Sequence, residues 1–193
     1  MTTRVRALLL CGGKSSRFGS DKLLADLDGE PLVAHSARHL LAGVGNALAV
    51  VPAGSKALKR ALDDAGCGVL ETSDCARGMG ASLAAGVRAT EGAAGWIVAL
   101  GDMPFVKPIT IAAILDRIEK GATIAAPAYQ SIRGHPVGFA ARLRDELLAL
   151  DGDEGAKRVV AAHRDEVQVF PVTDPGVNAD VDVPGDLHDR KGA

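Results

Sequence analysis

Short apolar runs rich in β-branched residues alternate along the chain with longer stretches whose apolar positions recur at helical spacing. The short runs predict strands near 4–11, 46–52, 67–71, 95–100, 123–128, 135–140 and 166–172. The longer stretches predict helices near 31–43, 55–65, 80–91, 108–120, 141–149, 154–164 and 184–190. Alternation of this kind implies βαβ units, hence an α/β chain with a mostly parallel sheet covered on both faces. Trp96-Ile-Val-Ala-Leu100 has no polar residue to turn toward water, as expected of a central strand, and Thr123–Ala128 fits the same role. The run at 135–140 follows 123–128 too closely for a parallel crossover, which needs a dozen or more residues, so one antiparallel excursion is expected. Pro108 suits the first turn of the helix at 108–120.

The first apolar run ends in Leu8-Leu-Leu-Cys-Gly-Gly-Lys-Ser-Ser-Arg17-Phe-Gly-Ser-Asp-Lys22. Glycines at 12 and 13 let backbone N–H groups approach a phosphate closely. Arg17 supplies a fork of donors and Lys22 a mobile point charge. Two familiar phosphate loops fit poorly. A Walker loop needs glycine where Leu8 stands. A dinucleotide fingerprint needs separated glycines and an acid closing the second strand, which here ends Val50-Val51-Pro52. Ligands of open α/β sheets sit outside the carboxyl ends of the strands, so the loops 12–22, 72–80 and 101–107 should share one rim.

Composition narrows the class. With 193 residues, 47% of them hydrophobic, the chain is expected to form a single domain over 1–193. A net charge of −2 and 3% aromatics leave neither a basic surface nor stacking platforms for nucleic acid. No apolar run approaches the roughly 20 residues of a membrane span. Cys11, Cys67 and Cys75 lack metal or disulfide spacing and point to a reducing, cytoplasmic setting.

Carboxylates mark the same rim. Leu100-Gly-Asp-Met-Pro104 holds Asp102 at a strand end between a flexible and a stiff residue. A hard oxygen ligand there suits Mg²⁺, which takes one or two carboxylates plus substrate phosphates. Asp180 and Asp182 lie two apart in an extended segment, where side chains share a face. Asp182 either joins the metal or caps a helix that Pro184 begins. His35 and His39, four apart on a helix, are expected to lie on a solvated face. Gly78 and Gly80 precede a small-residue helix start, where backbone donors face a ligand.

The spacing Leu-x-x-Gly-x-x-x-Arg-x-Gly-x-x-Lys from Leu10 to Lys22 resembles the signature of nucleotidyltransferases that activate a phosphorylated acceptor with an NTP. It is most similar to the molybdopterin cytidylyl- and guanylyltransferases, the MobA-like branch. Four further segments follow in the family's order: Gly78-Met-x-x-Ser82-Leu-x-x-Gly86, Gly101-Asp-Met-Pro104, Arg133-Gly-His135-Pro136 and Asp182-Val-Pro-Gly-Asp-Leu187, with Gly152–Arg158 matching another. The resemblance implies a Rossmann-like three-layer α/β/α fold of the nucleotide-diphospho-sugar transferase type. It implies that Leu10, Cys11, Gly12, Gly13, Arg17, Lys22, Asp74, Gly78 and Ser82 contact the nucleotide, and that Arg133 and His135 contact the acceptor. Lys157 and Arg158 offer further cations for an acceptor phosphate, although a surface charge or a core histidine would explain any one of these residues. Arg17, Lys22 and Asp102 would carry catalysis, with Asp102 and Asp182 holding Mg²⁺.

The implied reaction is attack by a molybdopterin phosphate on the α-phosphorus of CTP, releasing pyrophosphate. Small-molecule substrates are the expected partners, with a molybdoenzyme or its chaperone receiving the product. Gly12-Gly13 is guanylyl-like, where the cytidylyl branch carries Ala-Gly, whereas 78–86 and 133–139 are cytidylyl-like. A missing methyl at Gly12 would widen the base pocket and relax the choice between CTP and GTP. Related enzymes use other phosphorylated acceptors, and some relatives carry a nicotinamide-dependent oxidoreductase label, against which the missing dinucleotide fingerprint speaks.

Overall fold

The structure is a computed structural model describing residues 4–12, 22–182 and 186. Its strands are β1 (Val5–Leu10), β2 (Asp26–Leu27), β3 (Glu30–Pro31), β4 (Leu48–Pro52), β5 (Gly68–Thr72), β6 (Gly95–Leu100), β7 (Ile124–Tyr129), β8 (Ile132–Arg133), β9 (Val137–Ala140) and β10 (Val167–Pro171). Its α-helices are α1 (Leu32–Val44), α2 (Lys56–Asp64), α3 (Met79–Ala89), α4 (Pro108–Glu119), α5 (Arg144–Leu148) and α6 (Lys157–Ala162).

Among the described residues, one eight-stranded sheet has the order β10-β7-β9-β6-β1-β4-β5, with β8 paired to β7. β1 lies parallel between β4 and β6, in register Leu8↔Leu48 and Leu8↔Val98. The pleat then sorts the core. Ala7 and Leu9 pack with Leu40 of α1, Leu62 of α2 and Ile114 of α4 on one face. Leu8 and Leu10 pack with Leu83 of α3, Leu147 of α5 and Val160 of α6 on the other. This is a three-layer α/β/α arrangement with a mostly parallel sheet. Trp96 is fully buried, and its indole N–H donates to Thr90 Oγ1 at 2.9 Å.

The antiparallel excursion is β9, inserted between β6 and β7 and antiparallel to both. Gly138 allows this insertion under α4, since a Cβ there would sit 2.7 Å from Ile114 and Ile118 side chains. The small β2–β3 hairpin was not among the predicted elements. It turns on Asp28-Gly29, both at positive φ, the geometry favoured by an Asp-Gly pair. The helix predicted at 141–149 is a 3₁₀ turn, Ala141–Leu143, followed by α5. The helix predicted at 184–190 lies outside the described residues except for Asp186, which is helical.

The expected solvated face at His35 and His39 is corrected by the hairpin and by the 101–107 loop. His35 Nε2 lies 2.8 Å from Leu27 O. His39 is half-buried beside the carbonyls of Pro104 and Val106, and burial lowers its pKa. Cys11, Cys67 and Cys75 are buried thiols, none in a disulfide. Burial pushes the Cys67 thiol up to about 11. No helix of the described residues is long and apolar enough to cross a membrane.

Candidate active site

β1 and β6 are adjacent and parallel, so Leu10 pairs with Leu100 and both strands run out at one rim. The exits are tied together. Gly101 N–H donates to Leu10 O at 2.9 Å, and the buried Ser36 hydroxyl donates to Gly101 O at 2.9 Å. Asp102 follows at once. Its carbonyl accepts from Val181 N–H at 3.0 Å, which sets Asp182 beside it although 80 residues of sequence separate the pair. Asp174, only 3% exposed, secures the connection from both sides. Its carboxylate accepts from Lys107 N–H at 2.8 Å and Thr110 Oγ1 at 2.7 Å on one side, and from Gly176 N–H at 3.0 Å on the other.

Lys22 enters this corner. Its Nζ lies 2.9 Å from Asp102 Oδ2 and 3.2 Å from Asp182 Oδ1. Burial works against the Lys22 charge, but hydrogen bonds to Asp102 and Asp182 outweigh it and raise the pKa. Among the described residues, Lys22, Asp102 and Asp182, distant in sequence, thus form one charged cluster. The donor chemistry fits a small divalent cation. The two carboxylates present hard oxygens and already converge on a cation, and Mg²⁺ or Mn²⁺ would complete its shell with phosphate oxygens and water. Among the described residues no group of three or more His, Cys, Asp or Glu forms a closed cage. Gly13 and Arg17, the other expected phosphate contacts, lie outside the described residues.

A cavity of about 390 Å³ opens beside the cluster. Leu10, Cys11, Gly12, Lys22, Gly78, Ser82 and Asp102 line it, joined by Cys75, Ala76, Met79 and Asp153. Gly12 packs tightly on its wall: a Cβ there would stand 3.0 Å from Ser82 Oγ and 3.2 Å from Cys75. A methyl at position 12 would therefore press on Cys75 and Ser82, which would have to give by a few tenths of an ångström. Ser82 is fully buried and its hydroxyl donates to Gly78 O at 2.9 Å, so it holds the start of α3. Asp74, expected at the nucleotide, is absent from the cavity lining. Its carboxylate is drawn instead to Arg77 at 3.2 Å and Arg88 at 3.7 Å. Arg77 also reaches Asp151 at 2.9 Å and so ties this turn to the 151–155 loop.

The residues expected at the acceptor lie across β9. Arg133 is exposed on β8. His135 N–H donates to Val177 O at 2.9 Å, and its ring lies in a small cavity with Ser36, His39 and Met103 beneath the Asp102 turn, outside the nucleotide-sized cavity. Burial lowers the pKa of His135, opposed by the charge of Asp102. Arg133 and Lys157 are near enough to act on it electrostatically. Arg158 donates to Ala149 O at 3.2 Å and is engaged with its own backbone surroundings. Three contributors escaped the sequence reading: Ser36, Asp153 and Asp174. Asp153 stands inside the Gly152–Arg158 segment, where the basic residues drew attention and the acid did not. Ser36 and Asp174 carry no local signal.

A family model described as the MobA-like NTP transferase domain matches residues 7–167. Nicotine blue oxidoreductase of Paenarthrobacter nicotinovorans is 28% identical over 188 residues, 92% of each chain. The crystal structure of Rv0371c from Mycobacterium tuberculosis H37Rv superposes with a TM-score of 0.83 at 29% identity, covering 96% of both chains. A structure of Rv0371c in complex with manganese gives a TM-score of 0.73 at 24% identity over 89% of both chains. The matched segment starts inside β1 and ends at β10, taking in the whole Lys22–Asp102 rim, and the chain belongs to the MobA-like NTP transferase domain family as a nucleotidyltransferase.

Proposed function

We propose that this nucleotidyltransferase moves CMP from CTP to the terminal phosphate of molybdopterin. An acceptor phosphate oxygen attacks the α-phosphorus, the bond from that phosphorus to the bridging oxygen breaks, and pyrophosphate leaves. The acceptor is already an anion, so the protein needs no nucleophile or strong base. Its task is positioning and charge neutralisation. One observation carries the reading: Lys22, Asp102 and Asp182 meet at the mouth of the cavity where β1 and β6 end. Lys22 would turn its ammonium to the triphosphate, and Gly12 would bring backbone close to it. Asp102 and Asp182 would hold a divalent cation, Mg²⁺ in this reading, which when bound neutralises charge on the phosphates. That a structure of Rv0371c holds manganese supports a divalent cation here. The molybdopterin acceptor and the choice of CTP rest on the segments 78–86 and 133–139. Arg133 and Lys157 would face the acceptor, with the buried His135 behind them. Three buried thiols suit a reducing cytoplasm, where a molybdoenzyme or its chaperone would receive the product.

The test is pyrophosphate release from each of the four NTPs with molybdopterin and Mg²⁺. CTP should be the best donor. Use of GTP alone would move the chain to the guanylyl reading. The similarity to nicotine blue oxidoreductase favours a second reading. Oxidation of NADH or NADPH by a dye substrate, with no pyrophosphate from any NTP, would establish that reading and sink the first.

A further inference from the structure

The cavity runs along the rim in a fixed direction. Asp102 stands at the end of β6, Gly12 at the end of β1, and Cys75, Ala76 and Gly78 beyond β5 on the way into α3. The sheet order β6-β1-β4-β5 makes these successive stations. Phosphates held at Lys22 therefore leave the base pointing toward the turn between β5 and α3. The 151–155 loop packs on that side and is fastened to α3 through its backbone. Gly80 N–H donates to Gly152 O at 2.7 Å, and a Cβ on Gly80 would stand 2.6 Å from Asp151 O. Gly78, at φ 117°, has no room for a side chain either, because the first atom it would strike is Asp153 Oδ1.

Asp153 thus lines the cavity beside Gly78. Its acidic neighbours in this corner are held by arginine: Asp74 and Asp151 both pair with Arg77. Among the described residues Asp153 has no such ion pair. An ionised carboxylate only accepts hydrogen bonds. The cytosine ring offers an amine donor at C4, where uracil offers a carbonyl acceptor.

We infer that Asp153 reads the base, accepting a hydrogen bond from the exocyclic amine of cytosine and thereby selecting CTP against UTP. The inference rests on the nucleotide reading given above and adds to it the residue that sets specificity. CTP and UTP have nearly the same shape, so van der Waals contact barely separates them. At the 4-position of the ring the carboxylate separates them by sign: it gains a donor from cytosine and faces an acceptor from uracil. Asparagine removes this discrimination, since its amide can donate to O4 of uracil as readily as its carbonyl can accept from the amine of cytosine.

The experiment is calorimetric titration of CTP and UTP, with Mg²⁺ and without acceptor, into the parent protein, Asp153→Asn and Asp153→Ala. The parent should prefer CTP. Asp153→Asn should shrink the ratio of the two affinities by about tenfold or more, the order expected for one base-edge contact, with a gain for UTP. Asp153→Ala should bring the ratio toward one without that gain. An equal loss for both nucleotides would assign the carboxylate to the ribose or to the loop and overturn the inference. An unchanged ratio would overturn it as well. A parent that binds neither nucleotide would instead remove the CTP reading, and the inference with it.

Discussion

Two charged clusters among the described residues, one at each end of the central strands, differ in their access to the Gly12 cavity. At the amino edge, Thr123 precedes β7, Glu166 precedes β10, and Arg142 follows the antiparallel β9. Glu166 accepts there from Arg142, from Thr123 Oγ1 at 3.0 Å and from His163 Nδ1 at 2.9 Å. The other His163 nitrogen lies 2.8 Å from Glu146. Donors and acceptors of this cluster are matched within the chain. At the carboxyl edge one ammonium, Lys22, serves two carboxylates, Asp102 and Asp182, at the mouth of a cavity. The two carboxylates suit a divalent cation, and the mobile lysine suits an arriving phosphate. The same residue types build a staple at one edge and a candidate binding site at the other, and what separates them is access to that cavity.

The comparison predicts a double dissociation. Asp102→Asn should lower turnover about 10²-fold or more, with the melting temperature held, because an electrostatic contact to the reacting phosphates is lost while Lys22 keeps Asp182. Pyrophosphate release and a thermal melt measure both halves. Near-normal turnover in the folded variant would break the contrast.

Gly12→Ala should affect stability and activity together, since it wedges a methyl against Ser82 and Cys75. Overpacking of this kind costs about 1–3 kcal/mol. Gly12→Ala combined with Ser82→Ala should recover part of the melting temperature by removing the oxygen at 3.0 Å. A single variant as stable as the parent, with sharper CTP preference, would mark position 12 as a reader of the base.

The amino edge should show the smallest effect and the reverse pattern. His163, Arg142 and Thr123 hold the Glu166 carboxyl down to about 2, from an ordinary value of 4.5. A depressed folded value means stability that is present above pH 4.5 and lost as pH falls toward 2. Glu166 and Glu146 raise the His163 pKa above 6.5, so its contribution is full below pH 6.5 and fades as pH rises through the raised value. Glu166→Gln should flatten both slopes in a plot of melting temperature against pH. These are exposed groups, so the change should be modest. Turnover at neutral pH should stay at the parental level, and a loss of turnover would mean that the two edges are coupled.

Much of this molecule was legible from periodicity. The runs at 4–11, 95–100 and 123–128 became β1, β6 and β7, because a strand buried on both faces has no polar alternation and is bounded by turn residues. The short spacing before His135 announced an antiparallel strand. Local chemistry also marked Lys22 and Asp102, since a glycine-rich turn and a Gly-Asp-Met-Pro exit each occur within a few residues.

What no local pattern contains is the pairing of distant segments. The position of β9 between β6 and β7, the bond from Val181 N–H to the Asp102 carbonyl, and the anchoring of α4 by Asp174 all join residues far apart in sequence. So does the seating of Asp153 against Gly78, which turns a loop acid into part of the cavity wall. The sequence by itself determined which segments become strands and helices, and which residue types could meet phosphate. Only the tertiary structure decided which carboxylates share the lysine, because sheet register and loop closure, not residue type, bring Asp102 and Asp182 within reach of one ammonium.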